Sequence, residues 1–67
     1  MNFTRGQKIV VTNLLVNGVR RNMIGEFIKV MTSGPNVGMV LVSVNHVWLN
    51  VKPEKVVDYN LFNFGGK

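Results

Sequence analysis

What most constrains this chain is where its branched apolar residues fall. Val and Ile recur in short runs broken by Gly, Asn, Ser and Pro, and no stretch sustains the 3.6-residue spacing of a helix face. β-Branched side chains keep little rotamer freedom in a helix and pack well on a pleated surface, so this pattern predicts strands joined by turns. With 67 residues, the chain has room for one domain, and a domain of that size buries only about 60% of the surface its unfolded chain exposes. The fold class expected is all-β.

Five strands are expected. Gln7–Thr12 alternates, with Ile9 and Val11 on one face and Lys8 and Val10 on the other, the period of a half-buried strand. Asn13–Asn22 is expected to be a long connection, with Asn17 and Gly18 as its turn residues and the apolar Leu14, Leu15 and Val16 unusual for a loop. The second strand is expected over Met23–Thr32, where Gly25 marks a bulge or a close backbone approach. Ser33–Gly38 is turn-rich and fits a hairpin loop, and Met39–Val44 is the most β-favouring run of the chain. A tight turn at Asn45 leads into a strand over His46–Val51, with Val47, Leu49 and Val51 on one face and Trp48 opposing them. Pro53–Val56 fits a 3₁₀ turn, because Pro fixes φ and lacks an N–H that such a turn leaves unpaired. Val57–Tyr59 is the last strand, and residues 60–67 form a tail.

That order of elements resembles the order in SH3-like barrels. Gly6-Gln7-Lys8-Ile9-Val10-Val11, followed by Ile24-Gly25-Glu26-Phe27-Ile28-Lys29-Val30, resembles the KOW motif, with Gly25 as the motif glycine. Val47-Trp48-Leu49-Asn50-Val51-Lys52-Pro53-Glu54-Lys55-Val56 is similar to the last hairpin strand and 3₁₀ turn of the same fold. The resemblance spans Gly6 to Tyr59. It implies a five-stranded SH3-like barrel over residues 1–59 that acts as a binding module, since KOW and related small barrels contact RNA, ribosomal components, DNA or transcription proteins through loops and one sheet face.

Read on their own, the residues exclude most catalytic chemistry. The carboxylates Glu26, Glu54 and Asp58 are well separated in sequence and suggest no acid–base pair. His46 is the lone histidine and cysteine is absent, so no metal site is expected. Neither Ser33 nor Ser43 sits in a nucleophile elbow, and no glycine-rich phosphate loop precedes a helix. Type II dihydrofolate reductase is also a short SH3-like barrel, but its pore strand reads Val-Gln-Ile-Tyr where this chain has Val47-Trp48-Leu49-Asn50-Val51. No enzymatic activity and no cofactor are expected.

The lack of cysteine points to the cytoplasm. No run approaches the roughly 20 apolar residues that span a bilayer, and no basic-then-apolar signal pattern opens the chain, so neither a membrane partner nor secretion is expected. Net charge is +5, which suits a polyanion, although such a charge also serves solubility alone. Nucleic acid, RNA or DNA, or a nucleoprotein or transcription assembly is therefore the expected partner. Phosphate would be met by Arg20 and Arg21 in the long connection, Lys52 and Lys55 beside the 3₁₀ turn, and Lys29 on its strand; Trp48 could stack on a base or instead cap the core. The rival expectation is a protein-binding module, such as a viral accessory protein that modulates a host protein, with Leu14, Leu15, Val16, Phe62 and Phe64 as apolar anchors. Barrel edges would also allow a homo-oligomer by strand addition.

Overall fold

A computed structural model describes residues 3–62. The chain is all-β: five antiparallel strands form one sheet, β1 (Lys8–Val16), β2 (Val19–Val30), β3 (Val40–Val44), β4 (Val47–Val51) and β5 (Val56–Asp58), with a 3₁₀ turn at Pro53–Lys55. The strand order is β4-β3-β2-β1-β5, so the last strand returns to lie beside the first. No pairing among the described residues joins β4 to β5, and the hydrogen-bonded sheet therefore has two edges. No helix among the described residues is long and apolar enough to cross a membrane.

The core lies on one face. Ile9 and Val11 of β1 meet Phe27 of β2, Val40, Val42 and Val44 of β3, Val51 of β4 and Val56 of β5, with Phe3, Leu14, Met23 and Leu49 packed at the margin. Phe3 stacks at a tilt on Phe27, with ring centroids 5.6 Å apart, which ties the N-terminal segment to the sheet. Burying each such aliphatic side chain stabilises the fold by about 1.5–3 kcal/mol, so this cluster supplies most of what holds a small domain together. The expected half-buried character of β1 is corrected by Val10, which is fully buried on the opposite face and stands in register between Ile24 of β2 and Val57 of β5. Its cross-strand neighbours Ile24 and Val57 are apolar and flank it in the same row on that face.

Gly25 resolves to close approach rather than bulge. A Cβ there would meet the Ser43 carbonyl oxygen at 2.5 Å and Val44 Cγ2 at 2.9 Å, so β2 and β3 cross at a spacing no larger residue permits. The irregularities lie elsewhere, between Val11 and Leu14 in β1 and between Phe27 and Lys29 in β2.

The long connection expected over Asn13–Asn22 is instead strand. β1 and β2 continue past the bulge as a paired arm, Leu14 opposite Arg21, Leu15 opposite Arg20 and Val16 opposite Val19. Asn17 and Gly18 close it with φ of 50° and 79°, the type I′ geometry that matches strand twist and favours Asn-Gly. His46 likewise leaves the strand expected for it. With Asn45 it forms a second two-residue turn, at φ of 51° and 65°.

Candidate functional site

The site begins at the β1 bulge. Asn13 has φ 56°, a left-handed conformation that Asn tolerates better than most residues, and the distortion takes its peptide out of the ladder. Its backbone groups are then satisfied by side chains. Its N–H donates to Asn22 Oδ1 at 3.0 Å, and its carbonyl accepts from Arg20 Nη1 at 3.2 Å and from Lys55 Nζ at 3.3 Å. The Thr12 hydroxyl donates to the Lys55 carbonyl at 3.3 Å, which binds the 3₁₀ turn to the same point of β1.

The turn itself explains why two lysines share one side. Lys52 is extended, as the residue before a proline must be, and Pro53 opens the turn, which closes through Lys55 N–H to the Lys52 carbonyl and Val56 N–H to the Pro53 carbonyl. The turn brings Lys52, the residue before it, and Lys55, its last residue, to the same groove, whereas Glu54 does not line it. Arg20, Lys52 and Lys55 line a groove of about 280 Å³ with Asn13, Met39 and Asn50, and no carboxylate is among its walls. Arg20 and Lys55 end on one oxygen, so like charges are held a few ångström apart. An anion entering there removes that repulsion, each contact being worth about 1 kcal/mol in water and more where water is thinned.

Asn50 connects this groove to a sheet face. It shares the outer side of β4 with Trp48, two residues away and thus about 7 Å along the strand. Trp48 is 57% exposed, which settles its position against the core-capping expectation. Across the sheet Asn50 pairs with Leu41 and Leu41 with Lys29, so Lys29 stands on the same row as Asn50. Of the basic residues named from sequence, Arg20, Lys52 and Lys55 therefore converge, and Lys29 and Trp48 extend the surface through Asn50. Arg21 does not join them, since it alternates with Arg20 and lines neither this groove nor the next one. Sequence reading missed Asn13, Asn22 and Asn50; Asn beside a break in alternation was the available signal for the bulge.

A second, apolar groove adjoins the first and shares Leu14 and Leu15 with it: Leu14, Leu15, Val16, Met23, Val47 and Leu49 line about 380 Å³ between the two hairpin tips. Leu14 packs partly against the core, Leu15 is 57% exposed and Val16 is intermediate. Phe62 is half-buried after β5, and Phe64 lies outside the described residues. Among the described residues no cluster of three His, Asp or Glu side chains could hold a metal ion. No protein-family model, curated protein or solved structure matches the chain.

Proposed function

We propose that this protein is a small basic module that binds nucleic acid, alone or within a nucleoprotein assembly, without catalysing a reaction. The observation that carries the reading is the convergence of Arg20, Lys52 and Lys55 on one groove free of carboxylates. The cations position a phosphate, Arg20 through its planar fork and the lysines as point charges. Asn50 offers donors and an acceptor beside the groove, and the exposed indole of Trp48 provides a flat platform on which a base stacks. A return of β5 to β1 after a 3₁₀ turn is the element order of SH3-like barrels, and we take the fold to be one of them, acting in the cytoplasm.

The test is an amide-shift titration of labelled protein with single-stranded DNA, duplex DNA and structured RNA at two salt concentrations. Salt-sensitive shifts at Asn13, Arg20, Lys52 and Lys55 with at least one of these support the reading, because release of condensed counterions makes phosphate binding weaken steeply with salt. Absence of shifts with all three overturns it. A protein-binding role has one observation in its favour, the apolar groove beside Leu15.

A further inference from the structure

The two edges of the sheet differ in a way that bears on assembly. β5 is three residues long, carries Asp58 and has that carboxylate tied to Gln7 Nε2 at 3.4 Å. β4 is five residues, Val47-Trp48-Leu49-Asn50-Val51, with no charge, no proline and no bulge. Proteins blunt exposed edges with those very devices, since an open row of N–H and C=O groups is a template for another strand. β4 has none of them, in a chain that is otherwise strongly basic.

The register states which groups are open. In a two-residue hairpin the flanking pair, here Val44 and Val47, exchanges both hydrogen bonds, and bonded and non-bonded pairs then alternate. Val47, Leu49 and Val51 therefore bond inward to β3, while the backbone groups of Trp48 and Asn50 point out of the sheet. No loop, turn or side-chain hydrogen bond among the described residues reaches either of them.

We propose that β4 pairs antiparallel with β4 of a second copy about a two-fold axis at Leu49. Trp48 and Asn50 are the same distance either side of that residue, so Trp48 of each copy exchanges both N–H···O bonds with Asn50 of the other, and the two Leu49 side chains meet at the centre. The arrangement is isologous, as a two-fold interface requires. Charge permits a second copy, because β4 itself carries no charge and two chains of +5 can pair along it without setting cation against cation strand to strand. Apolar surface continues across the axis: Val47, 55% exposed, and Leu49 form the β4 wall of the groove that also contains Leu15, so pairing brings the two grooves together on one side. On the other side each Trp48 lies over Asn50 of the second copy. Such an interface is smaller than the roughly 1,200–2,000 Å² of stable complexes, so the dimer is a weak and concentration-dependent one. The pairing uses the backbone of Trp48 and Asn50, whose side chains belong to the proposed nucleic-acid surface, and sedimentation without nucleic acid tests it apart from that reading.

Sedimentation equilibrium over a concentration series, with hydrogen exchange at its two ends, tests this on the full chain. Wild type is expected to shift toward twice the 7.5 kDa monomer mass, with exchange at the Trp48 and Asn50 amides slowed roughly tenfold or more on dimerisation. Asn50→Pro removes an outward N–H without cutting the β3 ladder, a position where an edge strand accepts proline, and Trp48→Lys puts a charge on the edge. Both variants are expected to remain folded by amide-shift dispersion and to sediment as monomers. A wild type that stays monomeric at about 1 mM, well above the range of useful weak affinities, overturns the proposal and leaves the edge to a different protein. A dimer that survives in folded Asn50→Pro and Trp48→Lys also overturns it, since the contact then lies elsewhere.

Discussion

The strands β1 and β2 are continuous through two regions that have almost nothing else in common. Below the bulge, Ile9, Val10 and Val11 are 0% exposed, with β5 on one side and β2 on the other. Above it, the same ladder runs on as an arm paired only with itself, with Leu15, Val19, Arg20 and Arg21 exposed and the Asn17-Gly18 turn at its tip. The β1–β2 ladder is common to both, so the second pairing with β5 and burial separate them: the base holds the fold, and the arm presents side chains. The bulge at Asn13 divides the two, and the carbonyl it frees is the point on which two cations converge.

The largest expected effect breaks the base. Ile9→Ala deletes buried methyl groups in a core with no spare layer and should cost about 2–5 kcal/mol, against a total of about 3–10 kcal/mol for a domain of this length; Leu15→Ala in the arm should cost less than about 0.5 kcal/mol. Urea denaturation of the two variants measures the contrast. Equal losses would mean that the arm shares the core and that base and arm are one cooperative layer. Gly25→Ala belongs with the base, because its new Cβ would strike backbone at the β2–β3 crossing. Overpacking of that kind costs about 1–3 kcal/mol, measured in the same denaturation series.

The base was also the legible region. Its runs of Val and Ile alternate cleanly, and the expected strands Gln7–Thr12 and Met39–Val44 fall within a residue or a few of β1's buried part and β3. Gly25 was readable as a site of close approach. The arm was not, because a bulge inserts one residue and shifts the period-2 pattern by one: after Val11, the phase that placed Ile9 and Val11 inward no longer predicts Leu14. A phase break and an end of strand look alike in one sequence, and Asn on both sides suggested loop. The cationic groove was half legible for a related reason. Lys52 and Lys55 are three apart on a turn that Pro53 announces, whereas Arg20 reaches them only because the arm is a strand, and Arg20 and Arg21 diverge for the same reason.

Turn substitutions sharpen the comparison at the level of backbone. The two tight hairpins are each closed by two residues at positive φ, but one uses Asn17-Gly18 and the other Asn45-His46. Gly18→Ala puts a Cβ in a conformation that costs about 1–2 kcal/mol per residue, and because the arm is peripheral the loss should appear as faster amide exchange in Val16 and Val19 with little change in the global transition. His46→Gly runs the other way. Relief of the left-handed strain, offset by the roughly 0.5–1 kcal/mol entropy that Gly costs elsewhere, leaves a gain of a few tenths to about 1 kcal/mol, read as a raised denaturation midpoint. A lowered midpoint would show that the imidazole makes contacts worth more than the strain.

The smallest effect on stability, and the one that isolates the arm's role, comes from the cation pair. Removing both Arg20 and Lys55 deletes two exposed hydrogen bonds to the Asn13 carbonyl, an oxygen that water can serve instead, so stability should move by less than about 0.5 kcal/mol. Nucleic-acid binding should respond differently. Deleting one cation that neutralises a phosphate flattens the dependence of log affinity on log salt by about 0.7 for a single strand or 0.9 for duplex, so Arg20→Ala with Lys55→Ala should reduce that slope by roughly twice this amount, while Arg21→Ala, on the other side of the arm, should leave it nearly unchanged. The control matters because all these variants lower net charge. If Arg21→Ala flattens the slope as much per charge as the pair does, binding follows overall charge and the groove has no special part in it; if only the pair does, the bulge that turned Arg20 toward the 3₁₀ lysines is what made the site.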